Sequence, residues 1–195
     1  MSIDAAEAKL SLSKLPWVES ARISKIYPDK LEIEIEERAA FALWQQGEAV
    51  TVIQADGKVI GGYAADARLA ALPLLVGKGA EEEGRVFIDQ VARYQDVAAR
   101  VKAYIRVGTR RWDLRLDNGM TIRLPASGVD HALGRLTAMQ AELGVFERDL
   151  AAIDLRVSDR TVFALTENAA IKRKDFVSSR RDAATKVRKA RGSRI

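Results

Sequence analysis

Two stretches of strict alternation on either side of a turn signal, within Ile105–Pro125 (IRVGTRRWDLRLDNGMTIRLP), constrain this chain more than any other part. Trp112, Leu114 and Leu116 alternate with Asp113, Arg115 and Asp117; past the turn, Met120, Ile122 and Leu124 alternate with Thr121 and Arg123. A period of two on both sides of Asn-Gly means a β-hairpin with one apolar face. The register follows from the faces. A two-residue Asn118-Gly119 loop would set Leu116 opposite Thr121 and mix apolar with polar. A three-residue loop, Asp117-Asn118-Gly119, pairs Leu116 with Met120, Leu114 with Ile122 and Trp112 with Leu124. Because a one-residue slip sends every apolar side chain to solvent, the three-residue loop is predicted, with Gly119 at the positive-φ position. The opening Arg110-Arg111-Trp112 reads in three ways: a strand start with Trp112 in the core and solvated arginines, a salt-bridge site for a partner protein, or a nucleic-acid contact.

Charge decides against the last. The net charge of +5 is unevenly spread: Lys172 to Ile195 holds ten Lys/Arg and two Asp, leaving 22 basic and 25 acidic side chains, a net of −3, before it. The basic balance belongs to the tail, and the body has no bulk electrostatic case for binding nucleic acid. The tail's clusters (Lys172-Arg173-Lys174, Arg180-Arg181, Lys186 to Arg191) read as a solvated terminus or, more sharply, as a segment drawn to anionic lipid or nucleic acid. A composition of 48% hydrophobic and 30% charged residues is globular. No apolar run approaches the ~20 residues of a membrane helix. The absence of cysteine excludes disulfides and thiolate metal sites.

Along the chain, Asp4 to Lys14 reads as a helix with Asp4 as N-cap and Glu7 completing a capping box. Ala21–Ile26 and Leu31–Glu37 form a hairpin over Tyr27-Pro28-Asp29-Lys30, with Leu31, Ile33 and Ile35 on a buried face. Phe41–Trp44 is a short strand. Val50–Ile60 is a hairpin whose two-residue Asp56-Gly57 loop places Ile53 opposite Ile60. Leu72–Val76 is a strand, and Gly77–Gly84 a loop carrying the solvated run Glu81-Glu82-Glu83. A helix follows with Phe87, Val91, Tyr94, Ala98 and Val101 on one face. Asp130 opens another, with Leu133, Leu136, Met139 and Leu143 on one side. A last hairpin over Ser158-Asp159-Arg160 sets Leu155 opposite Phe163 and Ile153 opposite Leu165, with Phe163 in the core and Val162 and Ala164 on the other face. Beyond Asn168 periodicity fails, and the tail reads as disordered or transiently helical. The single histidine, His131, has no second ligand beside it and reads as a surface helix residue. No phosphate-cradling glycine motif and no nucleophile elbow occurs, so catalysis is not expected and no cofactor or metal is implied.

LPWV, a strand, YPDKLEIEIEER and FALW (Leu15 to Trp44) resemble the junction of POTRA and β domains in FtsQ/DivIB cell-division proteins. The Asp56-Gly57-Lys58-Val59-Ile60 turn, the Leu72-Pro73 strand with Gly77, the RRW…LDNG hairpin and the IDLR of Ile153 to Arg156 follow in the family's order, so the resemblance spans about Ile3 to Asn168. It implies an α+β fold: a partial POTRA domain (helix plus hairpin) over 1–38, a mostly antiparallel β domain with two helices over 39–168, and a basic tail over 169–195. The chain starts at what reads as the second POTRA helix, implying a missing N-terminal portion with a membrane helix and a place on the periplasmic side of the inner membrane, at the septum. The implied function is a non-enzymatic divisome scaffold that recruits FtsB-like and FtsL-like partners and helps regulate septal peptidoglycan synthesis. The edge strand would take a partner segment by β-augmentation. Implied contact residues are Arg110 and Arg156, pairing with partner carboxylates, and Val157, Thr161, Val162, Phe163, Ala164 and Leu165. The alternative is a POTRA-type periplasmic chaperone module for outer-membrane protein assembly or secretion.

Overall fold

The structure, a computed structural model, describes residues 5–27, 30–63 and 66–192. Helix α1 (Ala5–Ser13) precedes strands β1 (Val18–Ile26) and β2 (Lys30–Glu37), which pair antiparallel with Ala21 opposite Ile35 and Ile23 opposite Ile33. The expected Asp4 cap and the Pro28-Asp29 corner lie outside the described residues. The apolar face of β2 is not buried as expected: Ile33 and Ile35 are 48% and 49% exposed. The reason is that α1 lies along β1, where Ala21 is covered, and leaves its own Leu10 in solvent.

The second sheet is built from β3 (Ala42–Gln46), β4 (Ala49–Ile53), β5 (Val59–Gly62), β6 (Leu74–Val76), β7 (Val101–Val107), β8 (Arg111–Leu116), β9 (Thr121–Arg123), β10 (Leu150–Asp154) and β11 (Val162–Leu165). Its order among the described residues is β11-β10-β9-β8-β7-β6-β3-β4-β5. Three neighbouring pairs, β3–β6, β6–β7 and β9–β10, are parallel, and the rest are antiparallel. Each parallel pair needs a crossover. Helix α2 (Ala67–Ala70) lies in the first, α3 (Ala80–Ala92) and α4 (Gln95–Ala98) in the second, and α5 (Val129–Leu143) with a 3-10 turn (Val145–Glu147) in the third. Helix α6 (Glu167–Gly192) follows β11. The architecture is α+β, with the mostly antiparallel sheet that the family resemblance implies.

The hairpin that organises the sequence is central, and its register is the expected one. Leu114 stands opposite Ile122, the Leu116 amide donates to Met120 O at 2.9 Å, and that of Leu124 to Trp112 O at 3.2 Å. Gly119 has φ +82°. Asn118 makes the loop rigid: its Oδ1 accepts from the Met120 amide, and its Nδ2 donates to Phe146 O at 2.8 Å. The apolar face of β8 and β9 packs under α3 and α5, with Leu114, Ile122, Leu133 and Leu136 fully buried. Trp112 stacks flat on Phe87, ring centroids 4.5 Å apart, and Phe87 meets Tyr104 edge-on. Helix α3 sits close on β6: a Cβ at Gly84 would fall 2.4 Å from Leu75 Cδ1.

The other face of the sheet has a smaller cluster, Leu43, Val52 and Ile60, covered by Trp17, Leu69 and Leu72. Trp17 belongs to the segment before β1, so the first unit rests on the back of the sheet. Arg38 secures the joint, its amide donating to Trp17 O at 2.8 Å and its guanidinium meeting Glu19 at 2.8 Å and Gln54 Oε1 at 3.3 Å.

Several local readings are corrected. Ile53 faces Val59 rather than Ile60, because Asp56 takes the Lys58 amide, Gln54 bonds Lys58 O, and the ladder shifts at Val52/Ile53. That shift keeps Ile60 buried. Glu81, Glu82 and Glu83 form the first turn of α3, where the helix N-terminus favours carboxylates, rather than a loop. The helix expected to reach Val101 ends at Ala92, and Val101 starts β7. Leu143, in the last turn of α5, is half exposed. Of the two readings of the tail, the described residues take the helical one: α6 runs to Gly192, as its Ala, Lys and Arg content allows.

A candidate protein-binding edge

β11 is the edge strand the sequence predicts, but its register is two residues off. Ile153 faces Phe163, Asp154 faces Val162 and Ala152 faces Ala164, with an irregularity between Leu150 and Ala152. β10 ends at Asp154 because the Leu155 amide turns to Arg123 O on β9, at 2.9 Å. The expected three-residue loop therefore becomes the longer connection 155–161. Phe163 is not in the core opposite Leu155; it is 42% exposed, beyond the cover of α5. All four β11 residues are exposed, Val162 at 55% and Leu165 at 38%.

Backbone parity identifies the free groups. With Leu155 bonded towards β9, the alternation of strand amides directs those of Ala152 and Asp154 to β11. Their partners Ala164 and Val162 point back at β10, and the Thr166 amide, bonded to Asp149 O at 3.3 Å, has the same parity. Phe163 and Leu165 consequently turn their N–H and C=O groups outward.

Both ends of the strand are fastened by side chains. Arg135, on α5, donates to Ser158 O and to Thr161 Oγ1, each at 2.6 Å. Thr161 is therefore a half-buried anchor of the connection rather than part of the edge. At the other end the Thr166 hydroxyl bonds Asp149 and accepts the Ala169 amide at 3.3 Å, capping α6. Arg135 and Asp149 carry no sequence signal that marks them. Thr166 does: a threonine ahead of a helix-forming run is an N-cap pattern.

Arg156 lies just past β10 and is not free. Its Nε and Nη2 grip both Asp154 oxygens at 2.6–3.0 Å, and Arg123 Nη1 approaches the same carboxylate at 3.7 Å. The hydrogen bonds from Arg156, aided by the charge of Arg123, hold the Asp154 carboxyl below the usual aspartate range. Asp113, across β9, is pushed up by burial, with Arg111 and Arg123 opposing. Val157 is half exposed in the connection beside this pair.

Arg110 sits in the β7–β8 turn, where Gly108 and Thr109 have φ of +58° and +54°. It is exposed and makes no ion pair among the described residues. It lines a shallow cleft with Glu83, Gln90, Arg106, Trp112 and Pro125. Arg106 lies over the Trp112 ring at 5.0 Å, which braces this corner. Among the described residues no hydrogen bond or ion pair joins Arg110 to Arg156; β8 and β9 lie between the two positions. In a larger concavity, between Trp17, Arg38, Asp66 and Leu69, both arginines are already engaged, Arg68 with Asp66 at 2.9 Å and Arg38 with Glu19 at 2.8 Å.

Comparison with known sequences assigns this arrangement. Residues 42–156 match the family described as cell division protein FtsQ/DivIB, C-terminal, and residues 1–38 match the POTRA domain, FtsQ-type. The chain belongs to the FtsQ/DivIB family. It is 43% identical over 189 residues to a cell division protein FtsQ of Rhizobium radiobacter, covering 97% of this chain and 89% of that one. The FtsQ protein of Agrobacterium fabrum is also 43% identical over 189 residues (97% of this chain, 59% of that one). That of Bradyrhizobium diazoefficiens is 44% identical over 173 residues (89% and 50%). The chain thus spans between half and three fifths of the length of the last two. FtsQ/DivIB proteins are cell-division proteins and not enzymes. No helix among the described residues is long and apolar enough to cross a membrane.

Proposed function

We propose that this FtsQ/DivIB chain is a divisome scaffold whose strand β11 accepts a segment of an FtsB-like or FtsL-like partner as a further strand, on the periplasmic side of the inner membrane at the septum, and that this recruitment helps regulate septal peptidoglycan synthesis. The observation that supports it most is an edge strand fastened at both ends whose Phe163 and Leu165 turn their backbone groups to solvent. Such an edge contributes main-chain hydrogen bonds, and exposed Val162, Phe163, Ala164 and Leu165 offer apolar contacts on both sides of an added strand. The cations are secondary. Arg110 is available to a partner carboxylate, whereas Arg156 must share or exchange Asp154, so an acidic partner meets it as a competitor.

The FtsQ-type match of residues 1–38 favours this reading over a chaperone module for outer-membrane assembly. The test is proline at position 163. Phe163→Pro removes an outward donor without taking one from the β10 ladder, and should weaken capture of an FtsB-like segment at least ~10-fold, the loss of one or two hydrogen bonds. Val162→Pro removes an inward donor and should instead lower the melting temperature. Unchanged binding by Phe163→Pro, in a fold shown intact by circular dichroism, overturns the proposal.

A further inference from the structure

Unlike α3 and α5, helix α6 does not cover a face of the large sheet among the described residues. It leaves β11 directly from the Thr166 cap, and its residues from Ala170 to Arg181 are all exposed. Twenty-six residues at 1.5 Å each make a rod of about 39 Å. Lys172, Arg173, Lys174, Arg180, Arg181, Lys186, Arg188, Lys189 and Arg191 fall within it, against Glu167, Asp175 and Asp182. At 3.6 residues per turn Lys172, Arg173, Lys174, Arg180 and Arg181 spread over more than half of the circumference rather than along one stripe, so no narrow acidic groove could meet them all. A body with a net charge of −3 repels extended polyanions, so the rod is the part of the molecule suited to meet one.

We infer that α6 is a surface anchor that lays the β11 corner of the molecule against a bilayer rich in anionic phospholipid. Charge complementarity calls for an extended anionic surface, and the apolar content selects lipid among such surfaces. Ile171 stands 53% exposed just before the first basic cluster, and Phe176 and Val177 stand 60% and 54% exposed between the first and the second. By spacing, Phe176 stands between Lys172 on one hand and Arg173 and Arg180 on the other. A phenylalanine between basic side chains, with the Arg180 guanidinium 5.7 Å from its ring, suits the headgroup layer, where the ring enters the acyl boundary and the cation stays with phosphate. The apolar stripe is narrow, so binding is electrostatic first and falls steeply with salt. This inference is independent of the reading of β11. It adds a geometric consequence: the partner edge is held close to the membrane plane.

The test is co-sedimentation of the whole chain with vesicles of phosphatidylglycerol in phosphatidylcholine, against phosphatidylcholine alone and against a duplex DNA oligonucleotide. The chain should bind the anionic vesicles, release them at high salt and ignore the neutral ones. At about fivefold per basic residue near the surface, the triple change Lys172→Glu, Arg173→Glu, Lys174→Glu should weaken partitioning about a hundredfold. Phe176→Ser should weaken it further with the charge unchanged. Neither variant should move the melting temperature, since α6 does not pack on the core, and an unmoved melt certifies the fold. Equal binding to neutral vesicles, an unaffected triple variant, or tighter binding to DNA than to the vesicles at the same salt would each overturn the inference.

Discussion

Asp154 shows how a single side chain sets the state of the binding corner. It is largely buried and doubly gripped by Arg156, with Arg123 near, and its pKa lies below the ordinary 3.8. A depressed carboxyl contributes stability above its unfolded pKa and loses it as pH falls through the folded one. Asp154→Asn should therefore cost about 1 kcal/mol at neutral pH, a modest figure because Arg156 is half in water. The melting gap to the parent should close below about pH 4. A gap that persists in acid would mean packing rather than charge. Asp113 acts in the opposite sense: burial raises its pKa, so the stability linked to it is present below 3.8 and lost as pH rises through the folded value. Gly84 is a residue of another kind. A methyl group there meets the fully buried Leu75, and Gly84→Ala should destabilise by about 1–3 kcal/mol through overpacking, read in denaturant melts.

At the scale of elements, β11 is four residues long, and such a strand frays unless its ends are held. Arg135→Ala should free the 155–161 connection, costing about 1–2 kcal/mol locally. The measurable sign is faster amide exchange in 162–165 with the β8–β9 hairpin unchanged; equal protection would show that the arginine is ornamental. What alternation can reveal, it revealed. Trp112 to Leu124 carries its register in its own side chains, and the edge position of the last hairpin followed from its place at the end of the fold. What fails is what depends on other elements. The 155–161 connection is set by Arg123 O and by Arg135, both distant in sequence, so a local rule chose the shortest loop and misplaced Phe163. The exposure of Ile33 and Ile35 depends on what α1 covers, and alternation cannot report that. Arg110 and Arg156, expected as partner contacts, are both exposed, but the Asp154 grip on Arg156 depends on the turn past β10 and has no mark in the sequence.

For the molecule as a whole, the joint between the first hairpin and the sheet rests on few contacts: Trp17 over Leu43, Val52 and Ile60, and Arg38 bonded to Trp17 O and Glu19. Trp17→Ala should cost about 2 kcal/mol, less than a fully buried tryptophan because Trp17 is only half covered. Its clearer effect should be to let β1 and β2 exchange amides ahead of the larger sheet. Uniform exchange across both sheets would mean that the units melt as one.

The chain also carries its own optical reporters. Trp112 is 4% exposed, stacked on Phe87 and beneath Arg106. Its indole is screened from water, so its fluorescence should be blue-shifted and should resist collisional quenchers until the β8–α3 layer opens. Trp17 sits half covered at the joint, and Trp44 donates its Nε1 hydrogen to Gly77 O. Three indoles thus divide the molecule between them, the joint, the β3–β6 seam and the hairpin core, and emission spectra of single-tryptophan variants would follow each region separately without any added dye.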